Sequence, residues 1–192
     1  MATLATTAEV RPASKAGRFD QVSIGFHWLT LALIVGQLTT AFLFVVGEAG
    51  PDAANILTVH RSTGIVVWFI AAARLVWRLR FAHKPPFPAS LPKLQQATAK
   101  ANEYGLYALL LIQPLTGLGD TVFRGRPFQF AVWRIPALMP ADKPVFHAMH
   151  LAHELGAAAL LGLIALHAGA ALFHGVVLRD GVLQRMLPWT ER

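Results

Sequence analysis

Residues 153–178 read HELGAAALLGLIALHAGAALFHGVVL, and the 24 positions between Glu154 and Arg179 carry no charged side chain. At about 1.5 Å per residue, a helix of this length crosses a hydrocarbon layer of about 30 Å. His153 and His167 stand within it. Fourteen residues turn a helix through about 1400°, so these imidazoles point within about 40° of each other, about 21 Å apart along the axis. Polar groups at membrane depth are costly and mark functional positions. One helix therefore presents an imidazole near each membrane face, on a single side.

The rest of the chain agrees. Of its 192 residues, 55% are hydrophobic and 14% charged, against roughly 25% charged in an average soluble domain. So few charges cannot cover a globular surface. A soluble globular domain and a disordered chain are excluded, and an integral membrane protein is left. Hydrophobic runs predict four spans, at about 23–46, 55–78, 102–123 and 148–178. Residues 1–20 read as a polar tail with no removable signal peptide, and 21–192 as one membrane domain. The fold class is all-α, a four-helix membrane bundle. No internal repeat is evident. The segment 124–146 contains Phe128, Phe130 and Trp133 and reads as lying on the membrane surface.

The net charge of +7 sets topology. Three basic residues precede span 1, five lie in the connection 78–100 and three follow span 4, eleven in all. The two opposite loops hold four. The positive-inside rule places both termini in the cytoplasm. With no soluble basic face, nucleic acid is not an expected partner; membrane lipid is.

There is no cysteine. Disulfides, iron–sulfur clusters, thiolate zinc and covalently attached haem are excluded. Eight histidines remain. In the predicted topology His27, early in span 1, is level with His167 near the cytoplasmic side. His60, early in span 2, is level with His153 near the outer side. Two stacked bis-histidine pairs result, each drawn from different helices, as four-helix bundles build cofactor sites. Paired imidazoles suit a six-coordinate haem b, two in all. Ligands in two layers about 20 Å apart do not make one zinc or iron transport site.

Small residues near these histidines, Gly64, Gly156, Ala168 and Gly169, allow close backbone approach. Arg61 and Arg74 are positioned to pair with haem propionates. His174, seven residues past His167, faces nearly the same way toward the cytoplasm and is a candidate contact for a quinone or propionate. His150 and His147 read as outer-side proton-handling or interfacial groups, and His83 as solvated.

Five groups of residues resemble the bacterial cytochrome b561 family, small four-span di-haem membrane proteins. They are Phe26-His27-Trp28; His60-Arg61-Ser62-Thr63-Gly64 with Arg74 and Trp77-Arg78; Tyr107 with Pro114-Leu115-Thr116-Gly117; His153-Glu154, Leu166-His167-Ala168 and His174; and Arg185-Met186-Leu187-Pro188. The resemblance covers nearly the whole chain in order. It implies two b haems ligated by His27, His60, His153 and His167, and electron transfer across the bacterial inner membrane between quinone and an outer-side partner. The chain looks like the stand-alone superoxide oxidase type, which takes electrons from superoxide in the periplasm and reduces ubiquinone. The alternative is a cytochrome b anchor subunit linking a larger dehydrogenase or hydrogenase to quinone. One departure is Glu103, where relatives often carry a histidine one turn before the tyrosine.

Overall fold

The computed structural model describes residues 17–47, 50–88 and 91–189; most of the polar tail expected at 1–20 lies outside them. Four long helices dominate: α1 Gln21–Val45, α2 Ala53–Arg80, α3 Lys93–Phe123 and α4 Lys143–Leu172. All four are long and apolar enough to cross a membrane. The helix α3 begins nine residues before the expected span. Pro92 ends the proline-rich connection there and Lys93 opens the helix, so the basic stretch to Lys100 is helical.

The segment expected at the membrane surface, 124–146, contains a short β-hairpin, β1 Phe128–Phe130 against β2 Trp133–Ile135, and its last residues open α4. Gly125 enters the hairpin at φ +67°, a conformation side chains rarely adopt. The Ala131 amide donates to Ser62 Oγ at 2.8 Å, holding the hairpin on α2. An isolated two-stranded hairpin is marginally stable, and packing against a helix supports it.

Few side chains are buried, because the solvent for most of the surface is lipid: Phe42, Phe69, Leu161 and Leu166 all face outward. The core cluster is Ile34, Val67, Ala71, Leu110 and Leu160. Its placement follows from helical repeat. Ile34 stands seven residues after His27, Val67 seven after His60, and Leu160 seven from both His153 and His167. Two turns return to nearly the same face, so the apolar layer lies between the two histidine levels.

One end is lashed together by polar contacts. Trp28 Nε1 donates to the Met186 carbonyl at 2.9 Å, and Arg185 Nη1 to the Pro86 carbonyl at 2.7 Å. Arg78 and Lys84 both bind Glu103, at 2.8 and 2.9 Å. The segment before α1, the α2–α3 connection and the C-terminal segment therefore share a side.

Asp20 caps α1, accepting from the Ser23 amide at 2.9 Å, the Ser23 hydroxyl at 2.7 Å and Trp77 Nε1 at 3.0 Å. Burial raises its pKa, but these hydrogen bonds outweigh burial and hold it below the ordinary 3.8. A depressed carboxylate stabilises the fold above its unfolded pKa and loses that contribution as pH falls through the folded one. Asp20→Ala should cost about 1 kcal/mol, as cap removal does. Thermal unfolding of the detergent-solubilised protein checks this. The gap between wild type and variant should narrow on acidification below the Asp range.

Candidate functional site

The structure brings His60 to His153 and His27 to His167, with ring centroids 6.1 Å apart in each pair. The ring planes cross at 85° in the first pair and 54° in the second. A metal bridging two imidazoles, with bonds of about 2 Å to each nitrogen and about 1 Å from nitrogen to ring centre, needs centroids about 6 Å apart. Both pairs meet that spacing. Among the described residues no group of three or more His, Cys, Asp or Glu could hold a bare ion. Two imidazoles per layer suit a planar macrocycle that supplies its own equatorial nitrogens.

The His60/His153 pair faces a cleft lined by Arg61, Gly64, Pro114, Leu118, Phe128 and Phe130 among others. A Cβ on Gly117 would lie 2.8 Å from His153 Cε1, and one on Gly156 would overlap the Gln113 amide. Gly156 and Gly117 thus make the close approaches, whereas Gly169 meets nothing within 4 Å and its position is explained by no packing.

Each ring of this pair is steered by its neighbours. His60 Nδ1 lies 2.9 Å from Thr40 Oγ1. His153 Nδ1 lies 3.0 Å from the Gln113 carbonyl and 3.2 Å from Thr116 Oγ1. A proton on Nδ1 satisfies these contacts and leaves the Nε2 lone pair for a metal.

The arginines sort one to each level. Arg61 Nε donates to Thr121 Oγ1 at 3.1 Å, with its guanidinium over Phe128. Arg74 Nη2 lies 3.3 Å from His27 Nδ1, its guanidinium over Tyr107. Arg74 is 14 residues past His60, so in α2 it takes the place that His167 takes in α4.

The remaining candidates find other partners. His174 lies in a π-helical turn, Phe173–Leu178, and its Nδ1 is 2.5 Å from Asp180 Oδ2. His150 Nδ1 approaches Asp120 Oδ1 at 3.1 Å and its Nε2 approaches Glu154 at 3.4 Å, so it is turned away from the His60/His153 pair. Arg124 is ion-paired to Asp120 at 3.0 Å. Arg126 and Arg134 remain exposed on the hairpin side. Composition alone did not single out Gln37, Gln113 or Thr40, and it read Phe128 and Phe130 as marking a membrane-surface segment rather than as lining of this cleft. The available signal was two amides in otherwise apolar spans.

Known proteins resemble this chain along nearly its whole length. The profile of the family described as prokaryotic cytochrome b561 matches residues 18–189. Cytochrome b561 homolog 1 of Escherichia coli (strain K12) is 29% identical over 174 residues, covering 89% of this chain and 97% of that protein. The probable superoxide oxidase CybB of Yersinia pestis is 28% identical, covering 89% of this chain and 96% of that protein. Cytochrome b561 homolog 2 of Escherichia coli (strain K12) is 26% identical, covering 88% and 91%.

Proposed function

The chain belongs to the prokaryotic cytochrome b561 family, and from that premise we propose that it is a di-haem electron carrier of the bacterial inner membrane, oxidising superoxide outside and reducing ubiquinone at the cytoplasmic side. Membership itself makes it a membrane electron-transfer protein with b-type haem. The two-haem reading is carried by the two imidazole pairs at 6.1 Å. His60 and His153 would hold one haem, His27 and His167 the other. A haem bound there supplies one-electron redox chemistry.

The protein's own residues do the rest. Ile34, Val67, Leu110 and Leu160 keep water from the layer between the two levels. Arg61 and Arg74 offer one cation at each level to anionic propionates. Superoxide as donor is supported by the name of the Yersinia relative and by the exposed arginines of the hairpin. Two superoxide ions each give one electron and become dioxygen. One quinone takes both electrons and two protons and becomes the quinol.

Those protons need a carrier, and His174 has the chemistry for it. Burial raises the pKa of Asp180, but hydrogen bonds from His174 and the Val182 amide win and hold it below the ordinary 3.8. An ionised Asp180 engages Nδ1 of His174 and leaves Nε2 to pass a proton. His174→Ala should retain both haems and slow their reoxidation by a short-chain ubiquinone by about 100-fold, the low end for a positioned proton donor. Unchanged reoxidation would reject that role. The function as a whole is tested by stopped-flow mixing of the oxidised protein with superoxide while the haem bands are followed: rapid reduction supports it, and no reduction overturns it.

A further inference from the structure

The same four-residue device occurs twice. In α1, Gln37 Nε2 donates to the His60 carbonyl at 3.1 Å and to Thr63 Oγ1. In α3, Gln113 Nε2 donates to the His153 carbonyl at 2.6 Å. Three residues after each glutamine stands a threonine. Thr40 Oγ1 donates to the Gln37 carbonyl at 2.9 Å, and Thr116 Oγ1 to the Gln113 carbonyl at 2.8 Å. With its proton committed there, Thr40 Oγ1 faces His60 Nδ1 as an acceptor at 2.9 Å, and Thr116 Oγ1 shares His153 Nδ1 with the Gln113 carbonyl, at 3.2 and 3.0 Å. The helix pairs α1/α2 and α3/α4 thus repeat one arrangement around His60 and His153, although no repeat is evident in the sequence.

The other histidine pair lacks it. His27 Nδ1 faces the Arg74 guanidinium, a donor, at 3.3 Å. Among the described residues His167 has a ring contact with His27 and no hydrogen bond.

We propose that Gln37–Thr40 and Gln113–Thr116 are duplicated positioning groups that hold His60 and His153 with Nε2 presented to a metal and Nδ1 hydrogen-bonded, making this pair the electron-richer of the two. The inference rests on the di-haem reading. An acceptor at Nδ1 raises the basicity of the ligating nitrogen, which favours oxidised iron and lowers its potential. A guanidinium beside His27 has the opposite effect. Arg61 borders the His60/His153 level and works against this ordering, but its guanidinium donates to Thr121 Oγ1 and makes no hydrogen bond to either imidazole, whereas Arg74 lies 3.3 Å from His27 Nδ1. Electrons entering at the His60/His153 level would then run downhill to the His27/His167 level.

The test is a potentiometric titration of the purified holoprotein, wild type against Thr40→Val, Thr116→Val and the double variant, with Thr40→Ser and Thr116→Ser as the conservative pair. The expected result is that the lower of the two potentials moves up in the valine variants, further in the double than in either single, while the higher one stays. Haem affinity at that level should also fall by about 10-fold, the usual loss when such a partner is removed. The serine variants should return both quantities to wild type. Single variants keep the test open if the double one does not assemble. Unmoved potentials overturn the proposal, as does movement of the higher potential instead, and as does haem loss without any shift, which marks mere packing. Fewer than two haems in the wild type would overturn the di-haem reading itself and this inference with it.

Discussion

His153→Ala should reduce the haem content from two per chain to one, and the haem lost should be the one at the His60/His153 level. With one of the two imidazoles gone, a haem held at this level would keep only the other histidine as its protein ligand. The substitution also leaves the space beside Gly117, where a ring atom now stands 2.8 Å from an ideal Cβ, without a filling group. His60→Ala should do the same. His27→Ala and His167→Ala should remove the other haem instead. The two levels are about 21 Å apart along α4, with an apolar layer between, so each loss should leave the other haem's spectrum intact. His150→Ala is the control, because His150 engages Asp120 and Glu154 and should cost no haem. A pyridine haemochrome assay against protein concentration decides it. Two haems in the His153→Ala or the His60→Ala variant would break the pairing.

Superoxide should reduce the oxidised haems in a fast second-order reaction that added salt slows. Superoxide is a small anion, and a local positive field raises association rates by about 10-fold or more, an advantage that fades once charges lie beyond a Debye length of about 8 Å. The structure decides which charges matter. Arg124 is paired with Asp120 and contributes little net field. Arg126, just before the hairpin, and Arg134, in its second strand, are exposed, and Phe128 and Phe130 of the same hairpin line the His60/His153 cleft. Neutralising those two to glutamine should slow reduction by about 10-fold at low ionic strength and hardly at all at high. Haem content should be unchanged. Fast reduction indifferent to both salt and substitution would leave the chemistry standing and remove the steering. Failure of superoxide to reduce the wild type would favour the anchor-subunit reading.

The amino-acid sequence by itself determined the number of helices long and apolar enough to cross a membrane and the shared face of His153 and His167. These are local properties: an apolar run sets where a helix crosses, and the helical repeat sets where its side chains point. The 14-residue spacing of His153 and His167 needed no partner to be read. Glu103 was visible as a departure, yet its binding to Arg78 and Lys84 was not. Tertiary structure alone decided which groups meet across helices. Thr40 meets His60 across 20 residues, Gln113 meets His153 across 40, and Ser62 receives the hairpin amide across 69. It also turned His150 toward carboxylates, gave the 124–146 segment a hairpin and began α3 early. The physical reason is that a lone polar side chain in an apolar span only announces that a partner must exist, since an unpaired amide or hydroxyl is costly there. Which partner it finds depends on the rotation and height of a neighbouring helix, and those are set by packing of the whole bundle.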